Sequence, residues 1–453
     1  MTPPTVFTGN IIYTTSPADL VVFSPGCIIV SHDGRILYCA PLDEENDLRK
    51  LKSDYGFTES QVTAMTRRTG YDMPLLQWLE KYTFPREAEF RDKAYAEVAY
   101  AKCVARTLRC GTTTACYYAT IHVPGCKVLS TVVSALGQRA FIGKVNMDRH
   151  SPDYYVETTA DSMAATTAFV QWLLEQQNPL ITPIITPRFV PSCTPALMKF
   201  LGDVASNHNL PIQTHLSENP SEVKWVSELH PEFASYAAVY EAFGLLNNRS
   251  VLAHCVYLTP EERALIKHAD AGVSHCPNSN FLLQSGVLNV RQLLEAGIKV
   301  GLGTDVAGGC SPSILDAMRQ AVVASKVIYM QTRAANDVAA EKGLAVHVYE
   351  PLTLSEVFYL GTLGGAKVMG LDDKIGSFAV GKDFDALLVD LDAGCVKNAT
   401  TAEQVDGNKT VELFPHDGLL AGFEKFLYNG DDRNVVGVFV KGKQVVPFPP
   451  MEL

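Results

Sequence analysis

Three short polar motifs carry the residue types that hydrolytic chemistry needs. They are His215-Leu-Ser-Glu218, His254 after an alanine, and Asp305 after a glycine and a threonine. Each follows a short apolar run, so each is predicted to lie at the C-terminal end of a strand. In a barrel of parallel strands, those ends form the rim where catalytic side chains meet. Imidazole and carboxylate groups gathered there can bind a divalent metal and move protons beside it, so this order predicts metal-assisted hydrolysis.

The four side chains suit different parts of that chemistry. The neutral imidazole of His215 and one carboxylate oxygen of Asp305 are suitable metal ligands, and Asp305 can also accept a proton from water. Glu218 lies close enough in the sequence to carry a proton between water and substrate. His254 can polarise the attacking water or hold it by a hydrogen bond. A lone histidine on a strand is more often structural, but three rim positions in this order favour a metal or proton-transfer site.

Two further segments admit both a structural and a functional interpretation. Arg188-Phe189 closes a strand-like stretch, and an arginine fork beside an aromatic ring suits a flat heterocycle. A surface arginine and a core phenylalanine explain these two residues equally well. Residues 275–280, His-Cys-Pro-Asn-Ser-Asn, are rich in possible ligands. For them we favour a loop that braces the rim.

The elements that must position these residues alternate between strand and helix. Strands are predicted over residues 112–118, 140–147, 180–185, 210–215, 250–254, 272–275 and 298–302. Helices intervene, with an N-cap and proline at Thr194-Pro195 and a capping box from Thr353 to Glu356. This alternation predicts a (β/α)8 TIM barrel. The first of its eight strands is missing or degenerate, because residues 52–72 are polar and contain no apolar run.

Both ends of the chain have the texture of β structure. Residues 5–14 alternate loosely, and residues 27–38 contain an Asp-Gly turn. The same texture returns in residues 384–389 and 435–446. Because the termini of a domain often lie close together, the two ends are predicted to form one small β-sandwich. The expected division is residues 1–70 and 376–453 for this sandwich and residues 71–375 for the barrel.

Composition narrows the function classes. The 453 residues are 47% hydrophobic and 19% charged with a net charge of −11, a globular composition without the basic block that a nucleic-acid partner would need. We see neither a signal peptide nor an apolar run long enough to cross a membrane. The 11 cysteines form no paired framework, which favours reduced thiols and a cytoplasmic protein. The ending Met451-Glu-Leu453 loosely fits a PDZ ligand, although a frayed tail is the favoured interpretation.

Longer motifs carry a family resemblance over nearly the whole chain outside residues 41–72. They are PLLQWLEKYTFP at 74–85, GTTTACYYA at 111–119, TPRF at 186–189, THLSE at 214–218, HCPNSN at 275–280, GLGTDVAGG at 301–309 and FLYNGDDR at 426–433. With them the chain resembles the amidohydrolase superfamily and, within it, the guanine deaminases of the barrel type.

The resemblance implies hydrolysis of guanine to xanthine and ammonia in purine catabolism, one zinc ion per subunit, and a homodimer. His215 and Asp305 match the zinc ligands, Glu218 the proton shuttle and His254 the rim histidine. Arg188-Phe189 matches the purine contacts, to which His215, Glu218 and Asp305 also contribute. Deamination of cytosine or adenosine by a related barrel would fit the metal motifs, but not the context of Arg188-Phe189.

The chain departs from the family at the first strand. There the family carries a His-x-His pair that supplies two metal ligands, followed by a substrate-binding glutamine. Here no His-x-His occurs, and the sequence passes from Gly70-Tyr-Asp72 directly into Met73. The resemblance therefore leaves two alternatives. The chain is a guanine deaminase, or it is an impaired variant with well under one zinc per subunit that acts as a dimer partner or binding protein.

Overall fold

A computed structural model describes residues 5–16, 19–31, 33–41, 73–342, 344–393, 396–397, 404–405 and 409–447. Residues 52–72, where the first barrel strand is predicted to be missing or degenerate, and the PDZ-like ending lie outside the described residues. Among the described residues, no helix combines the length and apolar character that crossing a membrane requires.

The strands and helices follow one another in the predicted alternation. The strands are β1 Thr5–Ser16, β2 Asp19–Val30, β3 Ile36–Pro41, β4 Thr114–Tyr118, β5 Arg139–Gly143, β6 Val145–Asn146, β7 Ile181–Pro183, β8 Thr186–Pro187, β9 Ile212–Leu216, β10 Ser250–His254, β11 Gly272–His275, β12 Lys299–Leu302, β13 Ala386–Val389, β14 Val396–Lys397, β15 Gln404–Val405, β16 Val435–Val440 and β17 Lys443–Val446. The α-helices are Leu75–Trp78, Phe84–Ala88, Lys93–Arg109, Val123–Leu136, Thr159–Glu175, Pro195–Asn207, Pro220–Leu229, Tyr236–Ala242, Pro260–His268, Pro277–Leu282, Val290–Glu295, Ile314–Glu341, Leu354–Tyr359, Gly365–Val368 and Leu419–Asn429. Single 3-10 turns lie at Glu89–Arg91 and Val190–Ser192, and π-helical turns at Leu79–Thr83 and Leu360–Gly364.

The central strands form a parallel sheet that curves into a barrel. Its hydrogen-bonded order runs β4-β5-β7 and β9-β10-β11-β12, and β6 and β8 extend β5 and β7. A parallel bridge between Ile185 and Ile212 joins the two groups. All seven strand predictions coincide with strands of this sheet. The mixed α/β barrel fold predicted from the sequence is confirmed.

One side of the barrel is open within the described residues. Strands β4 and β12 border this side, and neither pairs across it. β4 is half-exposed at every position, whereas its neighbour β5 is buried at every position. Half-exposure along a whole strand is the signature of a sheet edge rather than of an interior barrel strand. The open side lies where the first strand of a complete barrel would stand.

The two ends of the chain meet in a small β domain. β1, β2 and β3 form one antiparallel sheet, and β13, β16 and β17 form another. The Phe384 amide donates to the Gly34 carbonyl at 2.7 Å, which joins the two ends directly. Apolar residues from both ends share one core, namely Ile11, Ile28, Val30, Ile36, Phe384, Ala386 and Phe439. Burial of this shared core therefore explains why distant segments with β texture form one unit.

Helix starts follow the capping signals of the sequence. The Thr194 side chain accepts from the Leu197 amide and precedes Pro195, and Thr353 and Glu356 form a capping box. These bonds satisfy amides that the first turn of a helix leaves free. The helices then bury one face against the sheet, as the core residues Leu197, Leu201 and Val357 illustrate.

Candidate active site

Four polar side chains converge at the C-terminal ends of neighbouring strands. His215 lies on β9, His254 ends β10, Glu218 follows β9, and Asp305 follows β12. One ligand atom from each of His215, His254 and Asp305 can be chosen so that all three lie within 4.8 Å of one another. The Glu218 carboxylate is 3.4 Å from Nε2 of His254. The structure thus brings together the residues that the sequence separates by up to 90 positions.

The backbone around this cluster adopts conformations that side chains usually avoid. Ser217, His254 and Asp305 have φ angles of 50°, 71° and 46°, in the left-handed region. Such angles recur where a chain turns sharply to aim a side chain at a functional site. Gly308 approaches the same carboxylate closely, because a Cβ at this position would lie 2.5 Å from Oδ2 of Asp305. The tight turn after β12 therefore requires a glycine here.

Hydrogen bonds orient both imidazoles so that each presents Nε2 to the cluster. Nδ1 of His215 is 2.7 Å from the Arg188 carbonyl oxygen, and a carbonyl can only accept, so this nitrogen donates. Nδ1 of His254 is 2.9 Å from the side-chain oxygen of Asn280. Nε2 of His254 is buried and has no hydrogen-bond partner in the part of the chain that the structure describes. An orphaned buried nitrogen beside a second imidazole and a carboxylate is the donor set that suits a divalent metal.

This arrangement adds a third donor to the predicted ligand pair. The sequence assigned His215 and Asp305 to the metal and gave His254 a different part in the chemistry. In the structure all three offer donor atoms at metal-ligand spacing. Three protein ligands with one open position is the composition of a catalytic zinc site.

Burial and neighbouring charges set the protonation of the cluster. Burial, together with the proximity of His254 and Arg188, lowers the pKa of His215 to about 3, so its imidazole is neutral. Burial raises the pKa of Glu218 to about 7, where it can exchange protons near neutral pH. Burial alone would lower the pKa of His254, but the carboxylates of Glu218 and Asp305 outweigh it and raise that pKa. The site thus combines a neutral imidazole with a carboxyl group whose pKa lies near neutral pH.

Glu218 is held from two directions. The Ser285 hydroxyl donates to Oε1 of Glu218 at 2.7 Å, and both residues are buried. The Glu218 backbone amide donates to the carboxylate of Glu222 at 2.8 Å. Oε2 of Glu218 is left facing His254. These contacts fix one oxygen of Glu218 and direct the other towards the cluster.

The segment from His275 to Asn280 supports the rim, as the structural interpretation expected. Asn280 orients His254, as described above, while the ring nitrogens of His275 are buried without hydrogen-bond partners. Burial and the nearby His254 lower the pKa of His275 to about 3. A neutral His275 is therefore packed behind the cluster.

Arg188 and Phe189 lie beside the cluster and line the same cavity as Glu218, His254 and Asp305. The Phe189 ring meets Trp225 edge-on, with the ring centres 6.0 Å apart. The Arg188 guanidinium pairs with Glu87, a contact that the sequence gave no reason to expect across 101 positions. Tyr118, at the end of β4, packs against the His215 ring with the centres 4.7 Å apart. The position of Tyr118 at the end of a strand was the signal in the sequence that could have marked it as a site residue.

The cavity extends beyond the cluster. Its volume is about 1230 Å³, and it runs from the rim along β4 and β12 to Phe439 of the small β domain. Residues on β4, such as Thr114 and Cys116, and Gly301 on β12 form its walls. The open side of the barrel and the catalytic cluster therefore share one continuous space.

A family model described as the amidohydrolase family matches residues 56–445. The chain belongs to this family. It is 42% identical to a guanine deaminase of Dictyostelium discoideum over 97% of this chain and 98% of that protein. It is 40% identical to a guanine deaminase of Mus musculus over 99% of this chain and 98% of that protein. Within the amidohydrolases, the chain therefore belongs with the guanine deaminases.

A solved structure extends the comparison. The crystal structure of a guanine deaminase from C. acetobutylicum, with guanine bound in its active site, has a TM-score of 0.80 and 32% identity to this chain. The match covers 97% of this chain and 99% of that one. The barrel architecture is therefore shared over essentially the full length.

Proposed function

We propose that this chain hydrolyses guanine to xanthine and ammonia. The observation that carries the proposal is the convergence of Glu218, His254 and Asp305 on one cavity in a chain 42% identical to a guanine deaminase. Both the cluster and the family likeness point to the same reaction class, the hydrolytic removal of an amino group from a purine.

The proposed metal is zinc, with His215 and Asp305 as ligands and Nε2 of His254 as the donor that completes a set of three. A bound zinc ion supplies Lewis acidity that brings the pKa of a water molecule towards neutrality. The fit rests on the oriented imidazoles and on the orphaned nitrogen of His254. Two imidazoles and a carboxylate form a ligand set that zinc accepts readily.

The residues of the chain perform the remaining steps. The Arg188 guanidinium donates hydrogen bonds to the edge of the purine, and the Phe189 ring borders its face. Glu218 takes a proton from the attacking water and delivers it to the purine ring, and a second proton leaves with the departing ammonia. His254 lies next to Glu218, with Nε2 3.4 Å from its carboxylate, and serves as the third donor of the proposed set. One water is consumed and one ammonia is released.

The test is the activity of the purified chain with added zinc. We expect ammonia and xanthine in equal amounts from guanine, and no ammonia from cytosine or adenosine. Metal analysis on the same sample should give one zinc per subunit. An Asp305→Ala variant, which removes one of the three donors, serves as the matched control and should lose both zinc and turnover. A chain that holds one zinc but produces no xanthine would refute the proposal.

The alternative that the sequence leaves is an impaired guanine deaminase homologue that serves as a dimer partner or binding protein. It predicts well under one zinc per subunit and little ammonia. Zinc content therefore separates the two candidates before any rate is measured.

Two further properties follow from the family assignment as proposals. We propose that the chain forms a homodimer, which light scattering on the purified protein would reveal as a doubled mass. We also propose that it resides in the cytoplasm, because the spacing of its 11 cysteines shows no disulfide framework and suits a reducing compartment. Imaging of the tagged full-length protein tests the second proposal.

A further inference from the structure

The guanidinium of Arg188 is already engaged by a carboxylate. Nη1 of Arg188 lies 2.7 Å from Oε2 of Glu87, and Nη2 lies 3.1 Å from Oε1. Two parallel bonds of this kind form the fork arrangement that arginine and carboxylate favour. Glu87 belongs to the helix Phe84–Ala88, which the family motif around Arg188 does not include.

The pair lies in a largely water-excluded environment. The Arg188 and Glu87 side chains retain only 10% and 13% of their exposure. The Tyr155 hydroxyl donates to Oε2 of Glu87 at 2.8 Å, and the Phe84 ring lies 5.2 Å from the guanidinium carbon. Both partners line the cavity that also contains Glu218 and Asp305. The positive charge of Arg188 is therefore balanced by the Glu87 carboxylate within the site and not by solvent.

We propose that Glu87 is a specificity-determining residue that cancels the charge of Arg188, so that the site favours a neutral purine over an anionic one. The inference rests on the proposed function and extends it. A bare guanidinium would attract any purine anion, whereas the neutral pair still offers hydrogen-bond donors without net attraction. Guanine is neutral at physiological pH, while xanthine, the proposed product, loses a proton close to neutral pH. Glu87 thereby limits retention of the product.

The experiment compares equilibrium binding of two purine probes, neutral hypoxanthine and anionic urate, at one neutral pH. Binding of guanine to the unmodified protein is measured alongside. A Glu87→Gln variant keeps the size of the side chain but leaves the charge of Arg188 unbalanced. We expect the ratio of urate affinity to hypoxanthine affinity to rise by about tenfold. A Tyr155→Phe variant removes one hydrogen bond to Glu87 and no charge, so its ratio should match that of the unmodified protein.

A second pair of variants covers the case in which Glu87→Gln does not fold, since a lone buried charge is costly. Arg188→Gln leaves the negative charge of Glu87 unbalanced, so the ratio of urate affinity to hypoxanthine affinity should fall. The double variant, with glutamine at both positions, is neutral and should return the ratio to its original value. Circular dichroism confirms the fold of each protein.

Each outcome decides between the ideas. The role of Glu87 is overturned if the ratio of urate affinity to hypoxanthine affinity does not change in Glu87→Gln, or if it changes equally in Tyr155→Phe. Guanine binding would stay intact in that case. If the unmodified protein binds neither guanine nor hypoxanthine, the proposed function itself fails and the specificity role falls with it. Opposite shifts in Glu87→Gln and Arg188→Gln, cancelled in the double variant, support the proposal.

Discussion

Replacement of Arg139 by methionine should destabilise the whole fold. Arg139 begins β5, and its Nη2 lies 3.0 Å from Asp383 and 3.1 Å from Asp385, next to β13 of the small β domain. All three side chains are nearly inaccessible, with exposures of 8%, 5% and 4%. Without the arginine, the buried Asp385 carboxylate loses its ion-pair partner, and the buried Asp383 carboxylate keeps only the longer contact with Arg35.

The structure itself provides the matched control. Arg35 also pairs with Asp383, but at 3.5 Å and with 47% of its side chain exposed. Breaking a buried ion pair by removing one partner costs about 3–5 kcal/mol. Losing an exposed pair costs about 1 kcal/mol or less. The predicted difference between Arg139→Met and Arg35→Met is therefore about 3 kcal/mol in the free energy of unfolding.

Urea denaturation followed by circular dichroism measures this difference. Arg139→Met should shift the transition midpoint several times further than Arg35→Met, with closely similar slopes. An equal shift in both variants would refute the reasoning, because the loss of the buried ion pair would then cost no more than the loss of the exposed one. A shift in the slope would instead indicate that the small β domain separates from the barrel before the barrel unfolds.

Three further predictions concern the site. Glu218→Gln should lower the turnover of guanine by about 10²–10⁴-fold while zinc content stays the same, since the proton carrier is lost but no ligand is; a loss of zinc would contradict that assignment. Ser285→Ala removes a donor that stabilises the ionised carboxylate of Glu218 and lowers its pKa. The pKa of Glu218 should therefore rise further, and the acidic limb of the rate profile should move to higher pH; an unmoved limb would exclude Glu218 as the group that titrates there. Insertion of the family's first-strand segment between Asp72 and Met73 should raise the urea midpoint, because it would supply a neighbour for β4 and β12, which lack one within the described residues; an unchanged midpoint would show that the inserted segment does not pair with them.

The sequence predicted the barrel strands because each depends on local information. An apolar run that ends in a polar motif marks both the strand and the rim residue at its end, as at β9 with His215 and β10 with His254. Parallel strands bring their C-terminal ends to one rim, so the meeting of His215, His254 and Asp305 followed from the fold class.

Other contacts could not be read from the sequence. Ser285 reaches Glu218 across 67 positions, and Glu87 reaches Arg188 across 101. Neither pair has a spacing that a helix or strand period would detect, because each depends on how distant segments pack over the rim. The turn at Asp305 is in the same class, since its φ of 46° is held by the surrounding packing.

The sequence by itself determined the alternating architecture and the rim positions of the polar side chains, because periodicity and strand ends are local properties. Only the tertiary structure decided how the charge of Arg188 is balanced, and that His254 lies with His215 and Asp305 so that one ligand atom of each is within 4.8 Å of the others. These depend on distances and burial between segments far apart in the chain, and such quantities exist only once the hydrophobic core has fixed the segments relative to one another.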